Sequence, residues 1–153
     1  MKDQEFMDRI EPMRKKLYAV AYPYFGSESM AVDAVDEAIY KGFLKKRQLR
    51  KPEFFETWLV RILINVCNSK YQHYKKQVGM EELPEDASPS EIENLPLKEA
   101  IRKLPEKYRE VILLKFFGGY TLAEIAELTD SPQGTVATRM RKALELLRME
   151  VAE

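Results

Sequence analysis

An all-α fold of two small helical domains is what this 153-residue chain predicts, the first a three-to-four-helix bundle and the second built around a helix-turn-helix. Three observations lead there. Apolar residues recur at three- and four-residue steps through both ends of the chain and rarely alternate with period two, which is the helical pattern and not the strand pattern. Residues 77–97 carry six acids, three prolines and no cation, a composition too polar for a core and suited to a flexible acidic linker. Residues 121–144 set two helical patterns on either side of the turn Thr129-Asp130-Ser131-Pro132. The domains therefore run 1–76 and 98–153.

The elements follow in order. Phe6, Ile10, Met13, Leu17 and Val20 mark one buried helical face, which Pro23 and Gly26 end. Ser27 or Ser29 caps a second helix, whose inward stripe is Ala31, Ala34, Val35, Ala38, Ile39 and Phe43 and whose outer face carries Asp33, Asp36 and Glu37. A basic stretch holds Lys45, Lys46, Arg47, Arg50 and Lys51. Pro52 then suits the first turn of a third helix, with Phe55, Trp58, Leu59, Ile62, Leu63, Val66 and Cys67 on its apolar face. Beyond the linker, a helix at about 91–103 precedes one opened by Pro105 and stopped at Gly118-Gly119. Thr121 to Glu124 reads as a capping box for a short helix, and a longer one runs from about Pro132 to Met149.

Charge sorts by domain. The chain balances 25 Lys and Arg against 25 Asp and Glu, but residues 1–76 hold 15 cations against 10 acids. Residues 98–153 hold 10 against 9, so the acidic excess sits in the linker. That asymmetry points the domains toward a polyanionic partner. Several classes are excluded. No run approaches a membrane span, and acids occupy the N-terminus where a signal peptide needs an apolar core, so the expectation is a cytoplasmic protein without direct membrane insertion. One cysteine, Cys67, and one histidine, His73, leave neither a disulfide framework nor a soft-ligand metal cluster. With no phosphate-cradling glycine loop and no base beside Cys67, no catalytic residue, cofactor or metal is assigned, and the chain reads as a non-enzyme.

In the helix-turn-helix, Leu122, Ile125, Ala126 and Leu128 form the buried set of the first helix, and small Ala126 allows a close crossing. Asp130 suits a left-handed turn position. Val136, Met140 and Leu144 face inward on the second helix, while Gln133, Thr135, Thr138, Arg139, Arg141 and Lys142 face out. Amides, hydroxyls and cations on one helix can read a major groove and hold phosphates. An ordinary helical hairpin with a solvated basic face has the same spacing, and a stand-alone helix-turn-helix regulator is the alternative function; it would need a dimer and a palindromic site.

The segment GGYTLAEIAELTDSPQGTVATRMRKALELLR resembles region 4 of the extracytoplasmic-function sigma factors of the sigma-70 family, through Ile125-Ala126-Glu127, Pro132-Gln133-Gly134-Thr135-Val136 and Arg139 to Lys142. LPEKYREVILLKFF resembles the first half of that region. DAVDEAIYKGF and FFETWLVRILINVCNSKYQ resemble successive helices of region 2, in the order and spacing of the family. The sequence departs from the family pattern at Ala137, Thr138, Asp130, Ser131, Ile64, Ser69 and Gln72, so a family-average promoter preference is not expected.

The resemblance implies an alternative sigma factor that binds core RNA polymerase, recognises −35 and −10 elements and aids duplex opening. It implies −35 contacts from the outward residues of the second helix. It implies −10 contacts from Lys46, Arg47, Arg50, Lys51, Arg61, Asn65 and Lys70, and polymerase contacts from Asp33, Asp36 and Glu37. Phe54, Phe55 and Trp58 are candidates for base stacking, with Trp58 assigned to packing. The linker could mimic a phosphate chain in a basic polymerase channel or act as a solvated spacer. The family implies a monomer when free, held in check by an anti-sigma factor.

Overall fold

The computed structural model describes residues 1–78 and 95–152, and every regular element among them is helical. Most of the predicted linker lies outside the described residues.

The first apolar face is broken into two helices. α1 (Asp3–Ile10) and α2 (Arg14–Phe25) are separated by a 3₁₀ turn at Glu11–Met13 that contains Pro12, yet Phe6, Ile10, Met13, Leu17 and Val20 are all buried as expected. Pro23 sits inside α2 and does not end it. The stop is Gly26, left-handed at φ 64°, whose N–H bonds the Tyr22 carbonyl. Ser27 then caps α3 (Glu28–Leu44), its Oγ accepting from the Met30 N–H at 3.4 Å. A 3₁₀ turn at Pro52–Phe54 leads into the long α4 (Phe55–Val78). Phe6 is the hub here, with edge-on ring contacts to Phe43 at 5.6 Å and Phe55 at 5.5 Å. Cys67 is buried on α4, and burial pushes its thiol far above the ordinary range.

The second domain comprises α5 (Leu95–Lys103), α6 (Glu106–Ile112), a π-helical turn at Leu113–Phe117, α7 (Leu122–Leu128) and α8 (Gln133–Ala152). The π turn closes where Gly118 N–H reaches the Leu113 carbonyl at 2.9 Å. Its buried residues pack toward α2 as well as within their own domain, so the apolar cores of the two domains join in one cluster. The domains are thus mounted directly on each other.

Gly42 marks the tightest crossing in the first domain. A Cβ there would lie 2.9 Å from Leu59 Cδ1 and 3.4 Å from Phe6 Cζ, so α3 meets α4 and α1 only because position 42 lacks a side chain. Gly42→Leu is expected to lower unfolding stability by about 1–3 kcal/mol through overpacking, despite leucine's better helix propensity. Denaturant titration of the variant checks this.

Candidate nucleic-acid interface

The helix-turn-helix is assembled by local chemistry at each joint. Thr121 Oγ1 accepts from Glu124 N–H at 3.1 Å, and Glu124 Oε1 accepts from Thr121 N–H at 2.9 Å, so the predicted capping box is present. The Thr121 backbone N–H, then its hydroxyl, hold the Glu124 carboxyl below the ordinary range. In the turn, Asp130 takes φ 54°, while Ser131 N–H bonds the Ala126 carbonyl and Thr129 Oγ1 bonds that of Ile125. Pro132 precedes α8 as its cap, since its carbonyl accepts from Val136 N–H at 3.1 Å.

The inward face of α8 differs from the expected one in one respect. Val136 and Met140 are buried, but Leu144 is 39% exposed and the stripe continues through Ala143 and Leu147. Four-residue steps drift by about 40° each on a helix, so a third such step leaves the core and a three-residue step restores it. Leu122 and Ala126 on α7 are likewise only half-buried, with Ile125 and Leu128 carrying the contact. On the outer face Gln133, Thr138, Arg141 and Lys142 are exposed, and Arg141 Nη2 donates to Thr138 Oγ1 at 3.4 Å. Thr135 and Arg139 are half-buried on the flank, Arg139 donating to Ser131 Oγ at 3.4 Å.

The cations of the first domain do not form one surface. Arg47, Arg50 and Lys51 are exposed after α3. Lys46 is drawn in: its side chain is 14% exposed, with the ammonium 3.8 Å from the Phe43 ring centre and 3.0 Å from Asp3 Oδ1. Arg61 and Lys70 stand nine residues apart on α4, which puts them roughly half a turn apart around the helix. Lys70 bonds Glu37 at 3.2 Å beside a cavity of about 370 Å³ that Asp33, His73 and Tyr74 also line. Burial raises the Glu37 carboxyl, but Lys70 and Lys41 outweigh it and hold it below the ordinary range. Asp33 and Asp36 are exposed on the same helix. Of the aromatic candidates, Phe54 is 47% exposed, Phe55 belongs to the core, and Trp58 packs half-buried on the Phe55 ring at 5.9 Å.

Arg61 points the other way, across to the second domain. Its Nε donates to the Leu128 carbonyl at 3.0 Å and its Nη2 to the Glu127 carbonyl. Those are the last carbonyls of α7, which helix geometry leaves without partners inside the helix. Asn65, on the same face of α4, lines with Arg61, Glu110 and Asp130 a cavity of about 280 Å³ between the domains.

Sequence reasoning missed the residues that complete this seam. Arg109 of α6 is 2% exposed, its guanidinium 4.1 Å from the Tyr71 ring centre and 5.4 Å from that of Tyr24. Its Nη1 donates to the Arg102 and Leu104 carbonyls, while Tyr71 Oη donates to the Arg102 carbonyl at 2.8 Å. Asn68 Nδ2 donates to Glu110 Oε1 at 2.8 Å, and Lys16 lies 4.8 Å from the Tyr120 ring centre. The available signal was Arg109 standing three residues before Ile112 and four before Leu113, a charge on an apolar stripe.

Sigma-70 region 2 matches residues 10–77, and Sigma-70, region 4 matches residues 94–147. The ECF RNA polymerase sigma factor SigW of Bacillus subtilis is 31% identical over 172 residues, covering 99% of this chain and 91% of that protein. RNA polymerase sigma factor SigV of the same organism is 30% identical over 144 residues, covering 92% of this chain and 87% of SigV. Among solved structures, CnrH in complex with the cytosolic domain of CnrY has the same fold, with a TM-score of 0.77 at 19% identity over 99% of this chain and 90% of that one. The sigma factor RpoE from Bartonella quintana, in complex with the anti-sigma factor NepR, gives 0.74 at 20% identity over 97% and 98%.

Burial raises the Glu110 carboxyl, and the Asn68 hydrogen bond offsets this only in part. A carboxyl raised on folding contributes its stability below the ordinary value of 4.5 and loses it as pH climbs through the raised folded value. Glu110→Gln keeps an acceptor for Asn68 and removes the buried charge. Its unfolding midpoint should match the parent's at acid pH and exceed it at neutral pH, which denaturant titrations at both pH values measure.

Proposed function

This chain belongs to the extracytoplasmic-function sigma factors of the sigma-70 family, and from that premise we propose how its surfaces divide the work of promoter recognition. It directs transcription initiation by RNA polymerase, binding the core enzyme and promoter DNA, and it is not an enzyme. No helix among the described residues is long and apolar enough to cross a membrane, and the site of action is the cytoplasm, where the polymerase is.

The observation that carries the division of labour is the outer face of α8, where Gln133, Thr138, Arg141 and Lys142 are exposed on a helix locked in place by the capping box and the turn. This face enters the major groove of the −35 element. The N-terminal amide and hydroxyls meet base edges, while the cations, with Arg139 at the flank, hold phosphates. Arg47, Arg50 and Lys51 form the free part of the −10 surface, joined by Arg61 and Asn65 when α4 is uncovered. Phe54 is the one exposed ring there among the described residues, placed to stack on an unpaired base. Asp33 and Asp36, with Glu37 beside them, dock on the polymerase. An anti-sigma factor restrains the chain, as the solved neighbours were captured with proteins of that kind or with a cytosolic partner domain.

Transcription in vitro with bacterial core enzyme on fragmented genomic DNA tests this reading. It should yield core-dependent transcripts whose upstream sequences share two elements; no transcript from any fragment refutes it. Arg139→Ala and Lys142→Ala should each weaken −35 duplex binding and reduce the slope of log K against log salt by about 1. Unchanged slopes remove those residues from the interface.

A further inference from the structure

The same α4 face serves two partners that cannot occupy it together. Arg61 spends its guanidinium on the terminal carbonyls of α7, and Asn65 beside it lines the cavity between the domains. We propose that the free chain is a self-latched sigma factor, in which the second domain covers the −10 face of α4 and must lift off before Arg61 and Asn65 can reach DNA. The latch has three fastenings: Arg61 on the end of α7, Asn68 on Glu110, and Arg109 between the rings of Tyr24 and Tyr71.

Its chemistry suits a contact that opens. Arg109 Nε and Nη2, Asn68 Oδ1 and Tyr24 Oη find no hydrogen-bond partner among the described residues although they are buried. Each such group carries a desolvation penalty that water would relieve on separation. A carboxyl raised by burial adds to the cost of staying shut. The seam therefore combines specific hydrogen bonds with polar groups that gain by exposure, unlike the wholly apolar packing of Phe6 or Leu59 inside the first domain. The occlusion rests on the proposed role of α4 in −10 recognition; the latch itself does not.

Asn68→Asp sets a second carboxylate against Glu110 and leaves Arg61 and Asn65 intact. A compact chain of 153 residues has a radius of gyration of roughly 15 Å. In small-angle X-ray scattering of the full free chain, Asn68→Asp should raise that radius by a few ångströms. Binding to a fluorescent single strand carrying the −10 element found by transcription should tighten by about tenfold if the parent is open roughly a tenth of the time. Arg61→Ala should also expand the chain without tightening DNA binding, because it removes a proposed contact. It serves as the second opening variant if Asn68→Asp fails to retain its helical circular dichroism. An unchanged radius in the folded variants overturns the latch. Expansion by Asn68→Asp with no gain in DNA binding overturns the occlusion, and with it the −10 role of α4, while leaving the latch in place.

Discussion

The guanidinium of Arg109 lies at the meeting point of the two domains, and the surrounding architecture is arranged to make its burial tolerable. Two tyrosine rings from the first domain supply their negative faces, and two carbonyls from the end of α5 and the turn after it accept from Nη1. Tyr71 Oη reaches the same Arg102 carbonyl, so one backbone oxygen ties α4, α5 and α6 together. Removing the cation would leave a shaped void between aromatic faces, while leaving it without the rings would strand a charge away from water. The relative placement of α4 and α7, and hence the reach of Arg61, depends on this junction.

Around that junction the sequence is most legible where the physics is local. The Thr121 capping box, the left-handed Asp130, the Ser27 cap and the Gly26 stop each need only a few neighbouring residues, and each is found as read. Helical periodicity identified the buried residues of α1 and α2 although Pro12 interrupts the run, because a 3₁₀ turn tightens the chain without reversing it. It misjudged Leu144, since the stripe has to change step to stay on the core. Pro23 illustrates another limit. It is tolerated within α2 because the ring removes one backbone donor, and the helix continues through Phe25.

What the sequence could not disclose is non-local. Arg61 meets carbonyls 66 and 67 positions away, and Asn68 meets Glu110 across 42. No pattern within one helix reveals such partners, and a cation on an exposed helix face reads equally as a DNA ligand or as a cap for a distant helix. Lys46 and Lys70 make the same point within the first domain, one folded onto Phe43 and Asp3, the other bound to Glu37. Counting positive residues identifies a basic surface only when their counterions are in solution, and here several are side chains of the protein itself.

Cys67 has a practical consequence. It is the single sulfhydryl in the chain, and its enclosed setting suppresses the thiolate that alkylating reagents attack. A cysteine introduced at any exposed site would therefore react with maleimide ahead of it, so spectroscopic tags can be attached without first mutating the native residue. Slow modification of Cys67 itself, in turn, becomes a clock for how often the first domain comes apart.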